Sequence, residues 1–265
     1  MSRLLFIGDL HVKAFLLPFI DKVIEAVAPD RVICMGDYMD DWGVSSMANL
    51  ESTQEIFDWA RERGDVTLLF GNHDMAYYSR SGNCAGNDGD IKVEARGHFE
   101  TNLDLLRVAD FCENWLFSHG GLCGLWAQQN LDEPATAQEA AGQINALLER
   151  QGGLGQLEAI GRRRGGWQKP GPLWADWREL TEDYYPGFNQ ISGHSPQDTC
   201  IEKVTRTGEH LWCCDTFSTG SKGYPRGDGS MLLLDSETGE VSLIEQPDPQ
   251  GLDAAYNKYF KGVHL

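Results

Sequence analysis

The chain has 265 residues, 41% of them hydrophobic, enough for one large globular domain or two small ones around a buried core. Against 22 basic residues stand 40 acidic ones, a formal charge of -18, and no compact Lys/Arg stripe offsets it, so long nucleic acid is a poor partner. No stretch is long and apolar enough to span a membrane, Met1-Ser2-Arg3 leads straight into a strand-like run, and the seven cysteines lack regular spacing; the expected setting is the cytoplasm, with reduced thiols.

In chain order, Leu4 to Ile7 reads as a strand, Phe19, Val23, Ile24 and Val27 as a helix, and Arg31 to Met35 as a second strand, together a βαβ beginning. Ser52 and Glu55 stand at capping-box spacing ahead of Ile56, Phe57, Trp59 and Ala60, which predicts a helix that Gly64-Asp65 stops before a strand over Val66 to Phe70. Gly71 to Asp74 follows as a strand-to-loop turn, and the Gly/Asn/Asp-rich stretch from Ser81 to Asp90 as an exposed loop. Asn114 to Phe117 reads as a buried strand delivering His119, with Gly120 and Gly121 behind it to let backbone approach a ligand closely.

Residues 127–172 read as helical and then irregular. Thr136 and Glu139 form a second capping-box pattern, and Ala137, Ala141, Ile144 and Leu148 share one helical face. We take this segment as a cap inserted into a single domain spanning 1–265. Its end concentrates Arg162, Arg163 and Arg164 between glycines, a pattern that suits a movable phosphate clamp and equally a solvated loop. The C-terminal third returns to strands over Gln190 to Ser192, Cys200 to Val204, Leu211 to Cys214, Met231 to Leu234 and Val241 to Ile244, expected to form an antiparallel closing sheet.

Five short motifs carry the chemistry: Asp9-Leu10-His11, Gly36-Asp37-Tyr38-Met39-Asp40, Gly71-Asn72-His73-Asp74, Ser118-His119-Gly120-Gly121 and Ser192-Gly193-His194. Each ends an apolar run, so their carboxylate, amide and imidazole groups can converge on the rim where parallel-sheet proteins place ligands. Asp and His one residue apart can aim two ligand atoms at one ion, and a carboxylate such as Asp37 can bridge two cations. The donor mixture suits hard or borderline divalent ions such as manganese, iron or zinc.

In this order and context the motifs resemble the calcineurin-like metallophosphoesterase superfamily, over roughly residues 4 to 234, and within it the serine/threonine phosphoprotein phosphatase branch, which includes bacterial and phage members and the diadenosine tetraphosphatases. The resemblance implies an α/β fold, a four-layer sandwich of two mixed sheets flanked by helices. It implies two divalent metal ions, manganese first and iron, zinc or nickel as other fits. Asp9, His11 and Asp37 would hold one, and Asp37, Asn72, His119 and His194 the other. The implied reaction is hydrolysis of a phosphate monoester by a metal-bridging hydroxide, with His73 as general acid and Asp40 orienting its ring. Asp74 would support the turn. Substrates would be a phosphorylated protein or a small phosphoester; hydrolysis of a dinucleoside polyphosphate or phosphodiester, and a catalytically silent metal-binding module, are the alternatives.

Departures from the pattern are equally specific. His194 is followed by Ser195-Pro196, so a second histidine found in nuclease-like relatives is missing, which favours the phosphatase branch. Asp41 stands where that branch carries a phosphate-clamping arginine. Arg162, Arg163 and Arg164 are the first replacements, ahead of Arg178, Arg80 and Arg226, and Asp176, in a segment resembling the family's Leu-Trp-Ser-Asp, is expected near the rim. Asp215-Thr216 resembles a late Asp-Thr-Gly element. His98, His210 and His264 lack motif context, and Trp42, Trp174 and Trp177 fall close in sequence to site residues.

Overall fold

A computed structural model describes residues 2–79, 82, 84–220 and 224–263, the side chains of 261–263 excepted. The apolar runs become short strands, and the first three, β1 (Arg3–Ile7), β2 (Arg31–Cys34) and β3 (Val66–Leu69), lie parallel to one another. Helices α1 (Leu17–Val27) and α2 (Ser46–Arg63) connect them. Gly64 ends α2 in the left-handed region, φ 72°, where a residue without Cβ is least strained. The start of α2 differs from the expectation. Ser45 caps it, accepting from Ala48 N, whereas Ser52 sits inside the helix and its hydroxyl accepts from the backbone of Ala14.

Gly71 to Asp74, expected as a strand-to-loop turn, instead opens helix α3 (Asn72–Tyr78), and a further helix α4 (Lys92–Thr101) leads to β4 (Leu106–Arg107), β5 (Ala109–Cys112) and β6 (Trp115–Ser118). Residues 124–157 contain α5 (Gly124–Asn130), α6 (Ala137–Ala146) and α7 (Gly153–Leu157). Thr136 caps α6 as its spacing predicts, accepting from Glu139 N, and Asn145 ties the helix to β5 by donating to the Ala109 carbonyl. After α8 (Trp177–Glu182) come β7 (Asn189–Ser192), β8 (Ile201–Val204), β9 (His210–Cys213), β10 (Met231–Asp235), β11 (Val241–Ile244) and helix α9 (Pro249–Val263).

The strands form two mixed sheets, β11-β10-β1-β2-β3-β4 and β5-β6-β7-β9-β8. The late strands therefore do not make one antiparallel sheet. β10 and β11 extend the first sheet antiparallel to β1, while β7 and β9 join β6 in parallel in the second. The strand period of two explains the layering. Leu4, Phe6, Ile33, Met35 and Leu69 face Trp115, Phe117 and Ile191 between the sheets, and the alternate residues Leu5, Ile7, Val32, Cys34 and Leu68 pack with the helices outside. Phe6 and Phe117 meet edge to face at 4.6 Å. This is the α/β sandwich of two mixed sheets flanked by helices that the motifs implied. No described helix is long and apolar enough to cross a membrane, and the cysteines are free.

Candidate metal centre and active site

Parallel strands from both sheets empty their C-terminal ends onto one rim. Loops after β1 and β2 carry Asp9, His11, Asp37 and Asp40, the first residue of α3 after β3 is Asn72, and loops after β6, β7 and β9 carry His119, His194 and Asp215. The loops are pinned to each other: His11 N donates to Asp37 O at 2.7 Å, and Gly193 N to His119 O at 2.8 Å. Asp74 fastens two of them, accepting from Gly71 N and Asp37 N on one oxygen and from Tyr38 N and Met39 N on the other. A side chain at Gly71 or Gly193 would collide with the carboxylate of Asp37 or Asp9, at 2.0 and 2.3 Å, so both close approaches require glycine. His11, Val12, Asp37, Asp40 and His194 all adopt positive φ, between 40 and 65°. Such strained backbone concentrates where side chains must be aimed.

Two groups of ligand atoms result, His11-Asp37-His73 and Asp37-His119-His194, each within 4.8 Å and sharing Asp37. In the second, His119 Nδ1 donates to the Met35 carbonyl at 2.8 Å, which leaves Nε2 of a neutral ring as a lone pair. That lone pair faces Asn72 Oδ1 at 3.0 Å, His194 Nδ1 at 3.1 Å and Asp37 Oδ2 at 3.3 Å. Acceptors aimed at one another are repulsive unless a cation sits among them, so the donor set fits a divalent ion. A proton on Nε2 can stand in for such a cation: burial alone would lower the His119 pKa, but Asp37 and Asp9 push it up to about 10. Burial draws His11 down to about 4 against the pull of Asp37, and burial, Arg164 and His119 hold His194 well below the usual range, so both rings present neutral nitrogens.

Asp9 stands outside both groups; its two oxygens accept from His194 N at 3.1 and 3.0 Å. Beside it Asp215 is 1% exposed, with neither oxygen in a hydrogen bond of normal geometry; burial pushes its pKa up to about 6 against the lowering pull of the Ser218 hydroxyl, His119 and Lys13.

A cavity of about 580 Å³ opens on the rim, lined by His11, Asp37, Asn72, His73 and His194. His73 Nδ1 donates to Asp40 Oδ2 at 2.9 Å and its backbone N to Asp37 Oδ1 at 2.9 Å. Burial opposes the charged ring, yet Asp37 and Asp40 hold its pKa well above the usual range. Asp40 is itself fixed: Tyr77 OH donates to its Oδ1 at 2.6 Å and Asn49 Nδ2 at 3.1 Å. Neither partner stood out in the sequence, although Tyr77 lies four residues after His73 on α3, one turn along the same face. Cys84 Sγ, also unforeseen, lies 3.4 Å from His73 Nε2.

Of the expected arginines only Arg164 lines this cavity among the described residues; its guanidinium donates to the His194 carbonyl at 2.8 Å and to Ser195 Oγ at 3.2 Å. Arg162 is exposed, Arg163 pairs with Glu182, and Arg226 is exposed. Arg80 and His264 lie outside the described residues. Asp176, grouped with the phosphate-binding residues in the sequence, instead caps α8 and accepts from Arg178, with Arg164 Nε 3.4 Å from its other oxygen. A carboxylate so placed orients arginine and would repel phosphate. Asp41 turns away from solvent onto Lys13 Nζ at 3.0 Å, both side chains at most 2% exposed. Lys13 also donates to the carbonyls of Leu10 and His11.

The fold and this convergence define a phosphoester-cleaving metalloenzyme class. The chain belongs to the calcineurin-like phosphoesterase family, whose sequence profile matches residues 2–207, and is a metal-dependent phosphoester hydrolase of the kind that uses a binuclear divalent centre. Among solved structures it is similar to a cold-active protein-tyrosine phosphatase of a psychrophilic Shewanella species, with 15% identity, a TM-score of 0.59, and coverage of 92% of this chain and 81% of that one. A structure of a cold-active protein tyrosine phosphatase at 1.1 Å matches with 16% identity, a TM-score of 0.58, and coverage of 93% and 79%. At such identities the likeness is one of fold. No curated protein gives a significant match.

Proposed function

We propose that the protein hydrolyses phosphate monoesters at a centre holding two divalent cations, with chemistry like that of the serine/threonine phosphoprotein phosphatase branch. The observation that carries this is the shared wall of one cavity, where two ligand groups meet at Asp37 and the Asp40–His73 pair faces the same space. Asp9, His11 and Asp37 would hold one ion, and Asp37, Asn72, His119 and His194 the other, manganese being the first candidate. When bound, the pair would polarise a phosphoryl oxygen and lower the pKa of a water molecule.

The chain's own residues supply the rest. Arg164 binds a phosphoryl oxygen, supported by Asp176, and so takes the part left open by Asp41; residues 127–172 act as a cap insertion in a single domain, whose late part brings Arg164 to the cavity. His73 keeps its Nδ1 proton on Asp40 and delivers the Nε2 proton to the departing oxygen as general acid. That transfer requires the Cys84 thiol to yield its place beside Nε2. Partners on this reading are a phosphorylated protein or small phosphoester, and neither long nucleic acid nor membrane.

Manganese-dependent hydrolysis of chromogenic monoester and diester substrates tests the proposal. Faster monoester turnover, lost in Asp37→Asn, supports it; a diester or dinucleoside tetraphosphate preferred over every monoester would replace it with the diesterase reading, and no turnover with any metal would favour a silent binding module.

A further inference from the structure

The cavity's lining is chemically mixed: beside polar residues that include His11, Asp37, His73 and His194 it presents Trp42, Ile160, Trp174 and Pro196. Trp174 already packs edge-on against His194, with ring centroids 5.9 Å apart. Trp42 has no such ring partner among the described residues and leaves 54% of its surface exposed.

Its position is not accidental to the loop. Trp42 N donates to Asp41 Oδ1 at 2.8 Å, and the same carboxylate is held inward by Lys13 and by the Thr219 hydroxyl. The buried ion pair therefore anchors the residue from which the indole projects. A large apolar ring kept in water at the edge of a polar cavity gains free energy when a second flat ring covers it. A phosphorylated alkyl hydroxyl has no flat ring to cover the indole and leaves it wet.

We propose that Trp42 determines specificity by stacking on a planar aromatic group carried by the leaving side of the substrate, so that the preferred phosphoesters are aromatic ones. This rests on phosphoester hydrolysis at the same site. It accounts for the exchange of a phosphate-clamping arginine for Asp41: the position anchors the indole that meets the leaving group, while Arg164 serves the phosphoryl oxygens.

Non-hydrolysable phosphonates test it free of leaving-group reactivity. Inhibition constants for methylphosphonate, phenylphosphonate and the 5′-methylenephosphonate of adenosine would be measured with wild type, Trp42→Phe and Trp42→Ala, each checked for metal content. The better aromatic inhibitor should bind wild type about three- to tenfold more tightly than methylphosphonate, the range expected of one aromatic contact. Trp42→Phe should keep most of that ratio, and Trp42→Ala should bring it to about one with methylphosphonate unchanged. Whether phenyl or adenosyl leads identifies the ring as a phenol or a nucleobase. A ratio near one in wild type, or a ratio that survives Trp42→Ala, overturns the inference and leaves the hydrolase standing. Failure of every phosphonate to inhibit, together with no turnover of any phosphoester, overturns both.

Discussion

Tyr77 donates a 2.6 Å hydrogen bond to the carboxylate of Asp40 from one turn beyond His73 on the same helix, so a single short helix carries both the proposed acid and the group that steadies its partner. The result is a chain of contacts, Tyr77 to Asp40 to His73, ending at the cavity. Tyr77→Phe should lower kcat several-fold and stability by about 1 kcal/mol, the net worth of one buried hydrogen bond. Bound manganese should be unchanged; its loss in this variant would show that the chain supports the metals rather than the acid.

His73→Ala should reduce kcat by a factor on the order of 10² to 10⁴ for an alkyl phosphate, the range for general acid catalysis, and much less for a nitrophenyl ester whose leaving group needs no proton. Asp40→Asn should show the same dependence on leaving group more weakly. An equal loss for both esters would assign His73 to metal binding, a role its place in the His11-Asp37-His73 group allows.

Much of this was legible before the fold. A period of two in the strands separates sheet-facing from helix-facing residues, and each ligand follows such a run, so the rim could be read from spacing alone. The sequence misled where a local signal was weaker than a tertiary one. Ser52 has the spacing of a cap, but its hydroxyl serves the Ala14 backbone across the core. Asp176 sits near the rim yet faces arginines, because helix capping decides where its carboxylate points. Lys13 and Asp41 show the same limit: two charges 28 positions apart carry no local signal of pairing, and only packing makes them a buried pair.

That pair yields a stability prediction. Lys13→Met leaves Asp41 a buried charge without its counter-charge and should cost about 3–5 kcal/mol, whereas Lys13→Met with Asp41→Asn should recover part of the loss. Burial would raise the Asp41 pKa, but Lys13 holds it below the ordinary 3.8. A depressed carboxylate contributes stability that is fully present above its unfolded pKa and lost as pH falls through the folded value. The wild-type advantage over the double variant should therefore persist at neutral pH and shrink below about pH 4, as measured by urea denaturation.

Arg164→Ala should raise KM about tenfold or more, since a charge-assisted hydrogen bond is worth roughly 1.5–3 kcal/mol, while Arg162→Ala and Arg163→Ala should change it little. Equal effects at all three positions would point to a diffuse electrostatic field instead of one clamp.

The central claim is that two cations share Asp37. Manganese binding, counted by titration calorimetry and electron paramagnetic resonance on wild type, His194→Ala and Asp37→Asn, tests it most directly. The account predicts two ions per chain with magnetic coupling in wild type, one uncoupled ion in His194→Ala, and severe loss of both in Asp37→Asn. A single ion in wild type, or two ions retained with undiminished affinity in Asp37→Asn, would contradict it.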